Sequence, residues 1–331
     1  MRALLPLHAL LCLLLAIVQS KKEGLQKYNI QDVTVSGLSS GAYFAVQFHV
    51  AHSRLVNGSA IFAGGPWYCA ESNLETATQK CMATNLGKPD TQTLVALTYT
   101  DSSLGLIDSP SNMEGSRVYL FSGKDDSVVE SSVVHSLQSY YTAFVSPNNL
   151  VADFNVAAEH CMPTVNFGED CSTLASPYLG KCGFDGAGAA FKYMYPQLDL
   201  ERSEPVSANL FSFDQTSYFS SSVASIGDVG YIYVPTNCQS GQTPCHLHVS
   251  FHGCEQNLEL VGNVYAEHAG YNYWAEKNDI IVLYPYVKVG KVYPYNPKGC
   301  WDWWAYTGLD YGVQSGVQMR FVRAMLEAMG V

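Results

Sequence analysis

The stretch Gly37-Leu38-Ser39-Ser40-Gly41 constrains the fold of this 331-residue chain more than any other part of the sequence. A β-type run, residues 32–36, comes directly before it, and a helix-type run, residues 42–53, comes directly after it. Between a strand and a helix, Gly-x-Ser-x-Gly is typical of a nucleophile elbow, a tight turn that leaves the serine hydroxyl exposed at the edge of a sheet. A chance glycine–serine turn is the alternative, and the flanking elements favour the nucleophile.

Beyond this motif, β-type and helix-type runs alternate, which predicts an α/β fold with a mainly parallel sheet and helices on both faces. No linker and no internal repeat divides the chain, so we expect one domain over residues 21–331. Residues 161–186 are expected to be irregular, and residues 203–228 to form a loop or an edge hairpin. The predicted strands are 59–62, 117–121, 150–154, 231–235, 247–251 and 280–284, and the predicted helices are 94–106, 132–144, 186–195, 265–277 and 313–329.

Residues 1–20 have the pattern of a secretory signal peptide. Arg2 supplies the positive charge, residues 4–18 are mostly apolar, and cleavage is expected after Ser20. An uncleaved membrane anchor is the alternative, but Pro6 and His8 interrupt an apolar run that is already short for a bilayer. We therefore expect a secreted, extracellular protein that does not stay in a membrane after cleavage.

The cysteine content agrees with export. Of the ten cysteines, Cys12 falls in the predicted signal peptide, which leaves nine in a compartment where disulfides form. Spacing favours the short-range pairs Cys69–Cys81 and Cys238–Cys245. The full connectivity cannot be deduced from sequence, and an odd number leaves one thiol unpaired.

Composition narrows the expected partners. The formal net charge of −11 gives no electrostatic reason to bind nucleic acid. There is no paired Cys-x-x-Cys and no histidine pair at helical ligand spacing, so we expect no metal and no cofactor. A sequon for N-glycosylation at Asn57 follows the helix after the elbow, where a surface loop is expected.

A serine nucleophile needs a base, and the base needs a carboxylate that orients it. In doubly wound hydrolases these groups follow strands in the order Ser, Asp, His. Ser39, Asp126 and His160 each follow a predicted strand in that order, with Asp125 as the alternative acid. A structural role is the alternative for His160, and its position after a strand favours the base.

Acyl transfer also needs two backbone N–H donors for the oxyanion. The Ser40 amide is one, and the loop Phe251-His252-Gly253-Cys254 is of the type that supplies the second, although it lies after the elbow in sequence. Joining Val331 to Lys21 would restore the usual order, so the chain has the pattern of a circular permutation. The second donor would then be the Cys254 amide, and a Cys254–Cys300 disulfide would tie this loop to the tryptophan-rich segment.

Several longer stretches extend these motifs over nearly all of the expected mature chain. With them, the sequence resembles extracellular polyhydroxybutyrate (PHB) depolymerases of the single-domain, circularly permuted type found in fungi, and their esterase relatives. The stretches are Val35-Ser36-Gly37-Leu38-Ser39-Ser40-Gly41-Ala42-Tyr43, Phe251-His252-Gly253-Cys254 with Gln256, Gly270-Tyr271-Asn272 with Trp274-Ala275, Val282-Leu283-Tyr284-Pro285, Cys300-Trp301-Asp302-Trp303 and Cys182-Gly183-Phe184-Asp185-Gly186-Ala187-Gly188.

The resemblance implies an α/β-hydrolase fold, the triad Ser39, Asp126 and His160, and an oxyanion hole at the Ser40 and Cys254 amides. It also implies that the tryptophan segment lines an acyl-binding or polymer-binding crevice. The candidate substrate contacts there are Trp301, Trp303, Trp304 and Tyr306, of which Trp301 is the one most suited to a purely structural role.

The expected function is a monomeric serine esterase that hydrolyses PHB or its oligomers through an acyl-enzyme. A feruloyl or acetyl esterase acting on polysaccharide esters is the rival within the enzymes, because it shares the His-Gly-Cys type of loop. A catalytically silent extracellular binding protein is the rival from another class. Cys161, beside His160, is a candidate for the unpaired thiol.

Overall fold

Strands and helices alternate along the computed structural model, which describes residues 21–22, 24–219 and 224–331. The predicted signal peptide, residues 1–20, lies outside the described residues. The strands are β1 (Lys21–Lys22), β2 (Asn29–Leu38), β3 (Val56–Phe62), β4 (Arg117–Phe121), β5 (Leu150–Asp153), β6 (Met162–Thr164), β7 (Glu169–Asp170), β8 (Leu179–Lys181), β9 (Leu210–Asp214), β10 (Val229–Tyr233), β11 (Pro244–Phe251) and β12 (Ile280–Tyr284). The helices are α1 (Ser40–Ala51), α2 (Leu74–Lys80), α3 (Thr91–Ser103), α4 (Ser131–Tyr141), α5 (Gly186–Met194), α6 (Leu258–Val261), α7 (Val264–His268), α8 (Asn272–Ala275) and α9 (Val317–Ala328).

Within the described ranges, nine strands form one sheet in the order β1-β9-β10-β12-β11-β2-β3-β4-β5. β10 runs antiparallel to both of its neighbours, and the other pairings are parallel. This confirms the predicted α/β fold with a mainly parallel sheet. No helix in the described part of the chain is long and apolar enough to cross a bilayer.

The order of the strands supports the predicted circular permutation. Strands β9 to β12 form one side of the sheet and β2 to β5 form the other, so the two halves of the chain meet where β11 pairs with β2. The amide of Tyr28, just before β2, donates to the carbonyl of Met329, just after α9, over 2.9 Å. The chain just before β2 thus lies beside the end of the last helix, as a circular permutation requires.

The elbow strand and helix lie at the centre of the molecule. The last six residues of β2 are buried between β11 and β3, and every residue of α1 is buried. α1 is apolar on most of its surface, and aromatic residues pack on it. Phe44 lies against Phe251 and Trp301, with ring centroids 5.0 and 4.6 Å apart. The position of the elbow is therefore fixed by the core itself.

Three predicted segments differ from the structure. The expected irregular region 161–186 contains β6, β7 and β8, which form a small separate sheet. The expected helix 265–277 is divided into α7 and α8 because Gly270 has φ +101°, a conformation that ends a helix. The last helix begins at Val317 and not at 313, because the preceding residues form tight turns up to Gly316. Residues 203–228 contain one strand, β9, which pairs antiparallel with β10 outside this range; β9 is not an edge strand, because β1 pairs with its other side.

The expected loop at the Asn57 sequon is also wrong. Asn57 is the second residue of β3, and its exposed side chain accepts a hydrogen bond from the Val33 amide over 3.2 Å. The strand starts early because Gly58 already pairs with Thr34 on one side and Arg117 on the other. The sequon therefore lies at the exposed end of a central strand.

Four disulfides join the described cysteines, and they include the two pairs that spacing favours and the Cys254–Cys300 pair. Cys171–Cys182 is the fourth pair, and Cys161 is unpaired and buried. The bonds are Cys69–Cys81, Cys171–Cys182, Cys238–Cys245 and Cys254–Cys300.

Candidate active site

Ser39 is the single residue between β2 and α1, and its backbone is strained. Its φ of 55° and ψ of −124° are unusual for a residue with a side chain. Two glycines make the turn possible: a Cβ on Gly37 would collide with the carbonyl of Gly41, and a Cβ on Gly41 would collide with the carbonyl of Phe251. The strand, the helix and β11 therefore approach each other closely at the serine, as a nucleophile elbow requires.

Asp126 and His160 form a buried pair. Asp126 follows β4, and His160 lies between β5 and β6. His160 Nδ1 lies 2.9 Å from Asp126 Oδ2, and the exposed fractions of the two side chains are only 7% and 2%. Asp126 Oδ1 also accepts the amides of Val128 and Val129, at 2.9 and 2.8 Å. Asp125, the alternative acid, is exposed, and its amide donates to the carbonyl of Ala158.

Ser39 and His160 line one cavity of about 190 Å³. Gly253 and Cys254, from the loop after β11, line it as well. The structure thus brings the elbow, the histidine and the predicted oxyanion loop to one place. The remaining lining residues are Leu38, Met82, Val128, Leu174, Tyr178, Glu255 and Lys298.

His252 holds the predicted oxyanion loop and is not a second base. Burial lowers the pKa of His252 to about 4, so the ring is neutral at pH 7. Its Nε2 accepts the Val287 amide at 3.3 Å, so the proton lies on Nδ1 and is donated to the carbonyl of Gly253 at 2.7 Å. The Cys254–Cys300 disulfide anchors the same loop from the other side.

The aromatic residues predicted to bind substrate pack against, or form hydrogen bonds with, other parts of the protein. Trp301 is fully buried and Trp303 is 6% exposed, stacked on Tyr43 with centroids 4.0 Å apart. The Tyr306 hydroxyl donates to the carbonyl of Cys300 at 2.6 Å. Trp304 is partly exposed and lies against Tyr306. None of Trp301, Trp303, Trp304 and Tyr306 is among the described residues that line the Ser39 cavity.

Two acidic residues near the site were not singled out from the sequence. Glu159 accepts the amides of His160 and Ser127 at 2.7 and 3.2 Å, and so links the loops that carry the base and the acid. Buried Asp302 accepts four successive amides, from Trp304 to Thr307, and shapes the tryptophan segment. The second residue has a sequence signal, because aspartate often bonds the backbone that follows it in a turn.

A cluster of sulfur atoms lies next to His160. The sulfurs of Cys161, Cys171 and Cys182 are within 4.8 Å of one another. Two of them are joined in a disulfide, so the cluster offers one thiol and not the set of thiolates that binds zinc. Burial, with smaller contributions from the Asp126 and Glu159 carboxylates, raises the pKa of Cys161 to about 12, so the thiol is protonated at pH 7.

A doubly wound sheet with a serine at a strained elbow, beside a histidine–aspartate pair, defines the α/β-hydrolase class. No family model matches the chain. It is 42% identical over 304 residues to a poly(3-hydroxybutyrate) depolymerase of Delftia acidovorans, with 91% of this chain covered, but it spans only 60% of that relative's length. It is 34% identical to a polyhydroxybutyrate depolymerase of Talaromyces funiculosus, covering 88% of this chain and 87% of the relative.

Two solved structures of PHB depolymerases also match this chain. The crystal structure of PHB depolymerase from Penicillium funiculosum matches with a TM-score of 0.84 and 34% identity, over 92% of this chain and 98% of that one. A serine-to-alanine variant of a PHB depolymerase, complexed with an R3HB trimer, matches equally well. The chain belongs to the PHB depolymerase family, whose members are ester hydrolases.

Proposed function

We propose that this chain is a secreted serine esterase that hydrolyses the ester bonds of poly(3-hydroxybutyrate) or its oligomers. The observation that carries the proposal is the buried Asp126–His160 pair, whose histidine lines the same cavity as Ser39. Family membership supports the choice of polyester, because the relatives are named for this substrate. Cleavage after Ser20 and a monomeric state remain predictions.

In the proposed reaction, His160 Nε2 takes the proton of Ser39 Oγ while Oγ attacks the ester carbonyl. Asp126 holds the other ring nitrogen and stabilises the imidazolium that forms. The tetrahedral intermediate collapses as His160 protonates the leaving alcohol oxygen, which leaves an acyl-enzyme. A water activated by His160 then releases the hydroxyacid and restores Ser39.

The oxyanion would be held by the amides of Ser40 and Cys254. Ser40 is the first residue of α1, so its amide has no partner within the helix and lies at the positive end of the helix dipole. Cys254 lies in the loop that His252 and the disulfide fix. Donors that are fixed in advance stabilise developing charge without reorganisation.

The cavity supports a short acyl group. About 190 Å³ is small beside the ~300–1,000 Å³ of typical ligand pockets. Apolar side chains (Leu38, Met82, Val128 and Leu174) supply much of the lining. A 3-hydroxybutyrate unit is short and mostly apolar, so it suits this cavity.

The experiment is to measure soluble hydroxybutyrate released from PHB film, together with hydrolysis of p-nitrophenyl butyrate. Ser39→Ala should lower both rates on the order of 10⁶-fold. Ser111→Ala, at an exposed position, is the matched control and should leave both rates unchanged.

Each outcome separates one part of the proposal. Hydrolysis of the small ester without the film would remove the polyester assignment and keep the serine mechanism. Release of ferulate or acetate from polysaccharide esters, in place of hydroxybutyrate, would favour the rival esterase. A folded wild type that cleaves neither ester would support a binding protein.

A further inference from the structure

The side chain of Gln256 is fully buried beside the proposed oxyanion loop, and all of its recorded partners are backbone groups. Its Oε1 accepts the amide of Gly253 at 2.7 Å. Its Nε2 donates to the carbonyls of Pro177 and Tyr178, at 2.8 and 3.2 Å. A buried amide that makes three such bonds holds its partners firmly, because breaking any of them leaves a buried polar group unpaired.

The first of these bonds holds Gly253, the residue that directly precedes the Cys254 amide. Gly253 has its N–H bound by Gln256 and its C=O bound by His252. With both polar groups of Gly253 held by side chains, the plane of the following peptide, and so the direction of the Cys254 N–H, is fixed. A Cβ on Gly253 would lie 3.4 Å from Cβ of Ser39, so this peptide lies directly against the elbow.

The other two bonds reach the part of the chain that carries the base. The Tyr178 carbonyl, which accepts from Gln256, also accepts the amide of Met162 at 2.9 Å. Met162 is the second residue after His160. One carboxamide therefore connects the oxyanion loop, which follows β11, to the segment that carries His160.

We propose that Gln256 is a positioning residue of the esterase. It directs the Cys254 amide at the developing oxyanion and sets the distance between that amide and His160. This inference rests on the proposed function, because it needs an oxyanion at this place. Gln256 touches no reacting atom, so its effect is exerted through Gly253 and through the 177–178 backbone.

The test compares Gln256→Leu with a matched control, Gln215→Leu. Gln215 is equally buried. Its side chain likewise accepts one backbone amide, that of Tyr286, and donates to two carbonyls, those of Gly227 and Tyr286. It lies between β9 and β10, however, and lines no part of the Ser39 cavity. Both variants lose the same set of buried hydrogen bonds, so a general effect on stability appears in both. Only Gln256→Leu should lower kcat for p-nitrophenyl butyrate, by about 10²-fold with KM within about threefold, since losing an oxyanion donor outright costs ~10²–10³-fold.

A pair of inhibitors separates positioning from general disruption. An alkyl trifluoromethyl ketone is attacked by Ser39 Oγ, whose proton passes to His160; the new O–C bond leaves the former carbonyl oxygen as an oxyanion. The matching methyl ketone stays trigonal and carries no such charge. In Gln256→Leu the inhibition constant of the trifluoromethyl ketone should rise about as much as kcat falls, while that of the methyl ketone should stay within about threefold.

The outcomes are decisive. Unchanged preference for the trifluoromethyl ketone in Gln256→Leu, with the wild type active, overturns the inference and leaves the proposed function intact. A wild type that cleaves no ester overturns both. If the leucine variant does not fold, Gln256→Glu keeps the volume and the acceptor for Gly253 but loses both donated bonds; the inference requires a lower preference for the trifluoromethyl ketone there too.

Discussion

At Asp126, both carboxylate oxygens lie within hydrogen-bond distance of His160 Nδ1, Oδ1 at 3.1 Å and Oδ2 at 2.9 Å, and the backbone holds one of them. Oδ1 is held by the amides of Val128 and Val129, and Oδ2 is the oxygen nearer His160 Nδ1. Because the backbone prevents rotation of the carboxylate, the proton of His160 is kept on Nδ1 and Nε2 is left free to accept. The sequence favoured this aspartate over Asp125, and the fold places it against His160.

We expect Asp126→Asn to lower kcat for p-nitrophenyl butyrate by about 10⁴-fold, because an amide favours the wrong tautomer of His160. Asp125→Asn changes an exposed neighbour in the same loop and should stay within about twofold of the wild type. Steady-state kinetics of the two variants would check this. A large loss in Asp125→Asn with little effect in Asp126→Asn would reverse the assignment.

Cys161 should be chemically inert despite its position beside the base. Burial raises the pKa of its thiol to about 12, and the thiolate is the reactive form. A chain that starts at residue 21 should therefore resist Ellman's reagent at pH 8 while folded, and release one thiol equivalent in denaturant. Cys161→Ala should release none; labelling at equal rates before and after unfolding would contradict the burial.

At the level of elements, the loop after β11 is held more tightly than its sequence suggests. His252, Gln256 and the Cys254–Cys300 disulfide all restrain it. The sequence of the loop 251–254 predicts that it supplies a backbone amide. It does not predict which residues hold that amide in place. The partners at 177–178 are 79 and 78 residues away in sequence, so only the fold brings them near.

The disulfides differ in the length of chain that they close, and their removal should differ accordingly. The double variant Cys254→Ala/Cys300→Ala removes a disulfide between residues 46 apart in sequence, and the chain-entropy account predicts a loss of about 4 kcal/mol of unfolding free energy. The double variant Cys238→Ala/Cys245→Ala removes one between residues 7 apart, and the predicted loss is about 2 kcal/mol. Urea denaturation of both double variants checks the order. Activity should fall only in the first, because its loop carries the Cys254 amide; equal activity would argue against that role.

For the whole molecule, buried neutral histidines are a source of acid sensitivity. Burial lowers the pKa of His49 and His248 to about 3 and that of His252 to about 4. Each would titrate near 6.5 in the unfolded chain. Below about pH 6.5 the unfolded chain therefore binds protons that the folded chain refuses, so stability falls as the pH falls toward about 4.

We expect the free energy of unfolding to fall between pH 6 and pH 4.5, with each such histidine contributing up to ~1.4 kcal/mol per pH unit. His248→Asn, which removes the ring held between Thr34 and Ser36, should reduce that slope by about one proton. Ser111→Ala, which changes an exposed side chain that carries no ionisable group, should leave the slope unchanged. Urea denaturation across the pH range measures both, and an unaltered slope in His248→Asn would contradict the prediction.

The sequence by itself determined the α/β class and the elbow, and it predicted the order of Ser39, Asp126 and His160 and the displaced oxyanion loop. These were accessible because each depends on local signals: small residues around a turn, and polar residues directly after apolar strands. Short cysteine spacings were informative for the same reason. The loop expected at the sequon was wrong because the start of β3 is set by its backbone pairing with β2 and β4, which a local pattern does not reveal.

The tertiary structure alone decided which groups support the site. It bound the Asp126 carboxylate to the amides of Val128 and Val129, paired Cys171 with Cys182, buried Trp301 and joined Gln256 to the segment that follows His160. Each of these depends on contacts between parts of the chain that are distant in sequence. A buried polar group must find a partner wherever the fold provides one, and that partner's position is set by packing and not by its neighbours along the chain.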